Sequence, residues 1–396
     1  MAGIYIHIPF CKQFCTYCNF YSIKRVAFFD KFVAAILDEA ASKEPFINKN
    51  GGSTIYFGGG TPSVLSIEQL ELIYNSALKL LAKPPHESTI EVNPDDITLS
   101  FAKELKRIGF NRVSMGIQSF NDAHLKFMNR RHTAQEAIVA YNTLREAGFT
   151  NISLDLIFGY SMLTTELWRE NLREIIALNP EHISAYQMSI EPGSALSVLC
   201  KKGEYTPLAS ETCEQQYRLL QVTLSEAGYE QYEISNFARD GKYSAHNSSY
   251  WNKTPYIGLG PGAHSYNGES RVWNLEKLQR YCSYYIGSKE IQLGSESIDK
   301  DENLSGSKRV SSIEAGVAEE ELLTAMDIFN ESIMLGLRQV KGVDLDQLDK
   351  CFLAEVMPYV KAEIKLGNLI KEGSVIRIPS DKLFISDSII RELFLV

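Results

Sequence analysis

Ile4-Tyr-Ile-His-Ile-Pro-Phe-Cys11-Lys-Gln-Phe-Cys15-Thr-Tyr-Cys18 joins an apolar, β-branched run to three thiols at C-x3-C-x2-C spacing. The first part has the composition of a strand, and the second puts three sulfur donors on one short loop directly behind it. Three thiolates so placed can hold three irons of a 4Fe-4S cluster and leave the fourth iron without a protein ligand. A cluster that only passes electrons is normally closed by four cysteines, whereas an open iron can bind and activate a small molecule. The same residues allow one alternative, a zinc site made of the three cysteines and His7.

Beyond this stretch, short β-branched runs at residues 4–8, 54–57, 89–92, 112–117, 152–157 and 182–188 alternate with longer segments of helical spacing at 28–43, 67–81, 99–108, 134–147 and 165–178. Such alternation predicts an α/β fold of parallel strands joined by right-handed crossovers. Six units predict a partial (β/α)6 TIM-like barrel rather than a closed ring of eight. The polar and glycine residues then sort to one edge. The cysteine loop follows the first strand, Gly58-Gly-Gly-Thr-Pro62 the second; Glu91 and Asn93 end the third, Gln118 the fourth, and Asp155 lies late in the fifth. Loops at the carboxyl ends of parallel strands converge on one mouth, which is where active sites assemble. Glycines there let backbone approach a ligand closely and tolerate positive φ.

At 396 residues the chain exceeds one ordinary core, so a large and a small domain are expected. The predicted division is a barrel over 1–195, an extension over 196–294, a linker over 295–318, and a small C-terminal domain over 319–396. Glycines crowd Gly258-Leu-Gly-Pro-Gly-Ala-His264-Ser265, and residues 294–312 are rich in serine and charge. Helical patterns at 320–339, 345–352 and 354–366 and a hairpin over 375–385 predict a small winged-helix-like α+β domain. A net charge of −9 provides no field for nucleic acid, so that domain is expected to pack or cover. Seven cysteines, with Cys200, Cys213, Cys282 and Cys351 scattered, do not form a disulfide framework. No apolar run is long enough to span a bilayer, and the expected location is cytoplasmic, with any membrane association peripheral.

The cysteine spacing, with Tyr17 before the third thiol, resembles the radical S-adenosylmethionine superfamily. The resemblance implies that S-adenosylmethionine chelates the open iron and is cleaved to a 5′-deoxyadenosyl radical, with a small reducing protein as electron donor. Longer strings narrow it: Tyr5-Ile-His-Ile-Pro-Phe-Cys11, Phe57-Gly-Gly-Gly-Thr-Pro62, Glu91-Val-Asn-Pro94, Ser114-Met-Gly-Ile-Gln118-Ser-Phe, Asn129-Arg130 and Asp155-Leu-Ile-Phe-Gly159. Over residues 3–290 they are similar to the group that contains the oxygen-independent coproporphyrinogen III dehydrogenases and the related heme chaperones. The resemblance implies that Tyr5, Tyr17, Gly59, Gly60, Thr61, Glu91, Gln118, Arg130 and Asp155 contact S-adenosylmethionine, and that Cys11, Cys15 and Cys18 hold the cluster. One departure is Tyr160-Ser161, where the group usually has Leu-Pro.

Three features separate the two kinds of protein within that group. The dehydrogenases carry a fourth cysteine two positions after the third, where this chain has Phe20; they have a longer amino-terminal extension; and the chaperones carry an H-N-x-x-Y-W string, present here as His246-Asn-Ser-Ser-Tyr250-Trp251. All three imply a heme chaperone, with hemoproteins at the membrane surface as recipients. An imidazole is the commonest protein ligand of heme iron, which makes His246 the expected ligand; Asn247 either orients that ring or forms the turn. His264 is expected to serve structure. The alternative function is oxidative decarboxylation of two propionates of coproporphyrinogen III to vinyl groups.

Overall fold

A computed structural model describes residues 2–24, 26–47, 52–286, 310–314 and 317–395. In chain order its first elements alternate: β1 (Ala2–Ile8), α1 (Phe29–Ile47), β2 (Gly52–Gly59), α2 (Ile67–Lys79), β3 (Glu87–Val92), α3 (Leu99–Ile108), β4 (Arg112–Gln118), α4 (Asp122–Phe127), α5 (Ala134–Glu146), β5 (Ile152–Phe158), α6 (Thr165–Leu178) and β6 (His182–Gln187). There follow α7 (Ala195–Lys201), α8 (Ser210–Glu226), β7 (Glu230–Gln231), β8 (Asn236–Ala238), α9 (Ala245–Trp251), β9 (Tyr256–Leu259), β10 (His264–Tyr266), β11 (Ser270–Asn274) and α10 (Leu278–Ile286). The last elements are β12 (Val310–Glu314), β13 (Ala318–Leu322), α11 (Ala325–Leu337), β14 (Val343–Asp344), α12 (Lys350–Lys365), β15 (Ile370–Glu372), β16 (Val375–Arg377) and α13 (Ser386–Arg391). The six strand-and-helix repeats are those of an α/β partial barrel. β6 turns to antiparallel β8 on its far side and β1 to β9, so neither end strand closes a ring.

Two compact units divide the chain, one of Met1–Phe10, Tyr21–His86 and Thr254–Leu323, the other of Cys11–Phe20, Glu87–Lys253 and Thr324–Val396. The first has β1 between parallel β2 and parallel β9, then β10, β11, β13 and β12 in antiparallel succession. Glu39 on α1 is fully buried here. Its carboxylate accepts from the Gly260 N–H at 2.8 Å, Asn274 Nδ2 at 2.7 Å and the Tyr281 hydroxyl at 2.6 Å. Burial pushes its pKa up, against the donors that favour the charged form. One side chain thus fastens the glycine-dense turn to α1 and α10. Gly260 has φ +97°, and a Cβ there would stand 2.5 Å from the His7 carbonyl oxygen, so the turn tolerates only glycine. His264 is exposed on β10, its ring stacked on Trp273.

The second unit carries β3, β4, β5 and β6 in parallel, edged by antiparallel β8 and β7. β3, β4 and β5 are buried on nearly every residue, as parallel strands covered on both faces must be. Helix starts follow local capping: Thr133 and Glu136 form a capping box for α5, and Thr164 caps α6. The C-terminal part is α+β, a sheet in the order β14-β16-β15 with α11, α12 and α13. It docks by backbone pairing, Ile234 N–H to Arg338 O at 3.1 Å and Val340 N–H to Tyr232 O at 3.2 Å.

Here the elements differ in detail from the sequence expectations. The helix expected over 320–339 starts at Ala325, because Thr324 and Asp327 form a capping box that stops β13 from running on. The two helices expected over 345–366 become a 3-10 turn, Leu345–Gln347, and one helix capped by Asp349. The hairpin expected over 375–385 is formed instead by β15 and β16, turning at Gly373 (φ +60°), and Ser380–Ile385 winds as 3-10 helix. Within the linker expected over 295–318, residues 295–309 and 315–316 lie outside the described residues, whereas 310–314 pair with β13 as a strand. Among the described residues no helix is long and apolar enough to cross a membrane. Truncating Glu39 to Ala strands three donors in the interior and is expected to cost roughly 3 kcal/mol of stability, read by denaturant unfolding, with Glu39→Gln costing less.

Candidate cluster and cosubstrate site

In the first unit, the glycine turn after β2 continues the parallel pairing past the strand ends. Gly60 N–H donates to Ile8 O and Thr61 N–H to Phe10 O, both at 2.8 Å. These two N–H groups are spent on the chain's own backbone, so the turn's glycines answer first to packing. A Cβ on Gly60 would fall 2.7 Å from Phe10 O, and one on Gly59 (φ +105°) would fall 2.6 Å from the His7 ring. The His7 ring lies between two partners. Its Nε2–H donates to the Tyr21 carbonyl at 3.0 Å, which leaves Nδ1 as acceptor for the Tyr5 hydroxyl at 3.1 Å. Burial lowers the His7 pKa, so the imidazole is neutral. Both ring nitrogens are therefore used, and the zinc alternative loses the fourth ligand it required.

In the second unit, the cysteine loop lies against the end of α4 and the residues after it. Thr16 N–H reaches Met128 O at 3.1 Å and its hydroxyl Phe127 O at 2.8 Å, while Leu196 N–H donates to Thr16 O at 2.8 Å. Arg130 carries the contact to the thiols: Nη1 is 3.2 Å from Cys15 Sγ, and Nη2 donates to Asn93 Oδ1 at 2.6 Å and Gly116 O at 2.7 Å. Among the described residues its buried Nε has no hydrogen-bond partner. Burial opposes its charge, yet the Tyr17 phenol and Cys15 beside it hold its pKa above the ordinary value. Burial also pushes the Cys18 thiol up to about 11 and the Tyr17 phenol well above its usual range. Ligation must then expel the Cys18 proton, as metal binding to thiols does.

Among the described residues no three His, Cys, Asp or Glu side chains converge on one metal ion. A three-thiol loop with a buried guanidinium on Cys15 fits an anionic cluster, the cation offsetting part of the thiolate charge.

Of the remaining residues, Glu91 and Gln118 lie at the carboxyl ends of β3 and β4, whereas Asp155, expected late in the fifth strand, is the middle residue of β5. Glu91 pairs in register with Ser114, and Gly116 with Asp155. A register shift between Gly116 and Gln118 ends β4, and Gln118 has φ +72°. A non-glycine residue in that region costs on the order of 1–3 kcal/mol and typically marks a functional position. Gly116 makes it possible, since a Cβ there would stand 2.7 Å from Gln118 Nε2 and 3.4 Å from Arg130 Nη2. Asp155 faces the Ser114 hydroxyl, 3.4 Å from both carboxylate oxygens, and the Ser153 hydroxyl at 3.5 Å. Burial raises its pKa to about 6, against the serine hydroxyls and Arg112.

His246 lies elsewhere in this unit. It is fully buried on α9, its Nε2 2.8 Å from the Tyr250 hydroxyl, and burial lowers its pKa to about 3. Glu87 accepts from the Ala245 and His246 N–H groups at 2.9 and 2.8 Å, anchoring the helix start. The structure thus gives His246 interior partners, and its ring would have to leave them to reach any iron. The Tyr160 departure has partners too. Its buried hydroxyl is 2.9 Å from His124 Nδ1 on α4, and its ring stacks on Phe127. Sequence reasoning passed over His7 as a hydrogen-bond bridge, Gly116 as a spacer and Asn93 as an arginine partner. Only their places inside the quoted strings hinted at them.

Fold and thiol loop are those of the radical SAM class, and residues 5–175 match the Radical SAM superfamily. The heme chaperone HemW of Bacillus subtilis is 36% identical over 286 residues, covering 71% of this chain and 75% of that protein. Its counterpart in Lactococcus lactis, also a heme chaperone HemW, is 31% identical over 350 residues, covering 88% and 84%. Among solved structures, the coproporphyrinogen III oxidase HemN of Escherichia coli, a radical SAM enzyme, has a TM-score of 0.79 over 99% of this chain and 89% of that one; at 22% identity this is a likeness of fold, the partial barrel included. The chain belongs to the HemW family of the radical SAM superfamily. Membership implies a 4Fe-4S cluster and S-adenosylmethionine as cofactors.

Gly116→Ala is expected to push Gln118 and Arg130 aside and weaken S-adenosylmethionine binding about tenfold, measured by equilibrium dialysis on reconstituted protein. Asp155 is ionised above about pH 6. Binding that uses its carboxylate should therefore hold above that pH and weaken as the pH falls through it, in the same dialysis at stepped pH.

Proposed function

We propose that this chain is a heme chaperone on a radical SAM scaffold, which binds heme and passes it to respiratory hemoproteins. In this reading Cys11, Cys15 and Cys18 hold the cluster, and Tyr17, Glu91, Gln118, Arg130 and Asp155 bind S-adenosylmethionine, with Tyr5, Gly59, Gly60 and Thr61 keeping the roles that the resemblance implies. When bound, the cluster and cosubstrate together supply one-electron cleavage of a sulfonium. The protein's own part is to hold and shield. Arg130 places a fixed positive charge beside Cys15, Gln118 is aimed by the end of β4, and the serines around Asp155 tune its protonation.

The observation that carries the reading is the family likeness, over 30% identity across three quarters or more of two proteins named as heme chaperones. Phe20, 69% exposed, stands where a fourth cysteine marks the dehydrogenases, which agrees with it. The likeness to the oxidase structure is one of fold and adds nothing for the alternative activity. His246 is the proposed heme ligand, and because its Nε2 is held by Tyr250, ligation requires α9 to release the ring.

One anaerobic experiment tests this. Reconstituted protein is given coproporphyrinogen III, reductant and S-adenosylmethionine, while parallel samples of wild type, His246→Ala and Tyr250→Phe are titrated with heme. Heme binding that His246→Ala abolishes and Tyr250→Phe strengthens, with no protoporphyrinogen formed, is the expected result. Steady turnover to protoporphyrinogen would defeat the chaperone reading, and tight heme binding indifferent to His246→Ala would remove that ligand.

A further inference from the structure

Four consecutive residues at the end of α4 and beyond it, Phe127 to Arg130, grip the four residues Gln13 to Thr16. Phe127 O and Met128 O hold the hydroxyl and N–H of Thr16, and Arg130 reaches Cys15 Sγ. Asn129 holds the other side. Its Nδ2 donates to Phe14 O at 2.7 Å, its Oδ1 accepts from Gln13 Nε2 at 2.8 Å, and its backbone oxygen accepts from the same amide at 2.9 Å. Cys15 is thereby fixed through the Phe14 carbonyl before it and the Thr16 N–H after it.

Asn129 also has φ +57°, which reverses the chain between α4 and Arg130. The position therefore asks for a side-chain donor, a side-chain acceptor and tolerance of the left-handed region. Asparagine meets all three; aspartate lacks the donor, glycine lacks both polar atoms, and glutamine is disfavoured at that φ. Below the clamp, the Tyr160 hydroxyl on His124 and the Tyr160, Phe127 and Tyr205 rings brace α4. Beside it, Lys12 and Arg131 share Asp96, at 2.6 and 3.3 Å. All of these bonds join the chain's own groups and hold the backbone on both sides of Cys15.

We infer that Asn129 is a positioning residue for the iron–sulfur cluster, fixing the direction of the Cys15 thiolate through the Phe14 carbonyl and Gln13 amide. The inference rests on the cluster assignment made above. Preorganised ligands hold a metal centre longer and set its electronic environment through outer hydrogen bonds, so loosening one of three thiolates should show in both properties.

The test uses the full chain, reconstituted anaerobically, as wild type, Asn129→Gly, Asn129→Asp and Gln13→Ala. Asn129→Gly keeps the backbone conformation and removes only the side-chain bonds. Iron per chain, the rate of iron loss to a chelator, and the electron paramagnetic resonance spectrum of the reduced centre with and without S-adenosylmethionine are measured, together with unfolding of the metal-free protein. Expected are iron loss at least fivefold faster and an altered reduced-centre spectrum in Asn129→Gly and Asn129→Asp, a smaller change in the same direction in Gln13→Ala, and metal-free unfolding close to wild type. Wild-type loss rates and spectra in all three variants would overturn the inference. So would a lowered unfolding temperature with an unchanged spectrum, which would assign Asn129 to the fold alone; should Asn129→Gly not fold, the other two variants decide. A wild type that takes up no cluster would overturn the cluster assignment itself, an outcome distinct from equal behaviour of wild type and variants.

Discussion

A single buried cation organises the surroundings of the cysteine loop in the second unit. Arg130 extends its guanidinium between a cysteine thiol, an asparagine side chain at the end of β3 and a backbone carbonyl of β4. A guanidinium cannot shed its charge at any accessible pH, so it must be neutralised by what surrounds it. That requirement links elements far apart in sequence. The cysteine loop, the β3 end and the β4 end are each fixed by contact with the same planar group, and the thiols gain a permanent positive neighbour.

Around that cation the strand ends are distorted in an ordered way. β4 shifts register at Gly116 and places Gln118 in a region that side chains rarely adopt, and the missing Cβ at Gly116 leaves the space that Gln118 and Arg130 fill. In the other unit, Gly59 and Gly60 do a related job, one making room for the His7 ring and the other for the Phe10 and Ile8 backbone. Strain of this kind persists only where neighbouring contacts enforce it. Glycines that look like ligand contacts in the sequence are here, in the first instance, spacers for the protein's own groups.

Hydrogen-bond occupancy separates what residue type suggests from what a side chain is free to do. His7 and His246 both look like metal ligands when read as letters. In the fold, His7 is a bridge between Tyr5 and Tyr21, and His246 is a core residue with Tyr250 on its ring nitrogen. The H-N-x-x-Y-W string carries no information on burial, because burial of one short helix depends on Glu87, more than 150 residues earlier, holding its first N–H groups. Tyr160 shows the reverse: a departure from the related strings turns out to have its own partners in His124 and Phe127.

Local physics made much of this protein readable from its letters. Hydrophobic period, glycine placement and thiol spacing act over a few residues, so the alternating α/β units, the open barrel class and the three-thiol loop could be read directly. Boundaries in the C-terminal part were missed where a cap at Thr324 or a turn at Gly373 outweighed the periodic pattern. What needed the tertiary structure were contacts between residues more than 100 apart in sequence: Arg130 on Cys15, Asn129 on Phe14, Glu39 on Gly260. No periodicity encodes such pairs, since each exists only after the strands have aligned and water has been expelled from between them. That expulsion gives a buried carboxylate, imidazole or guanidinium its partners and its protonation state.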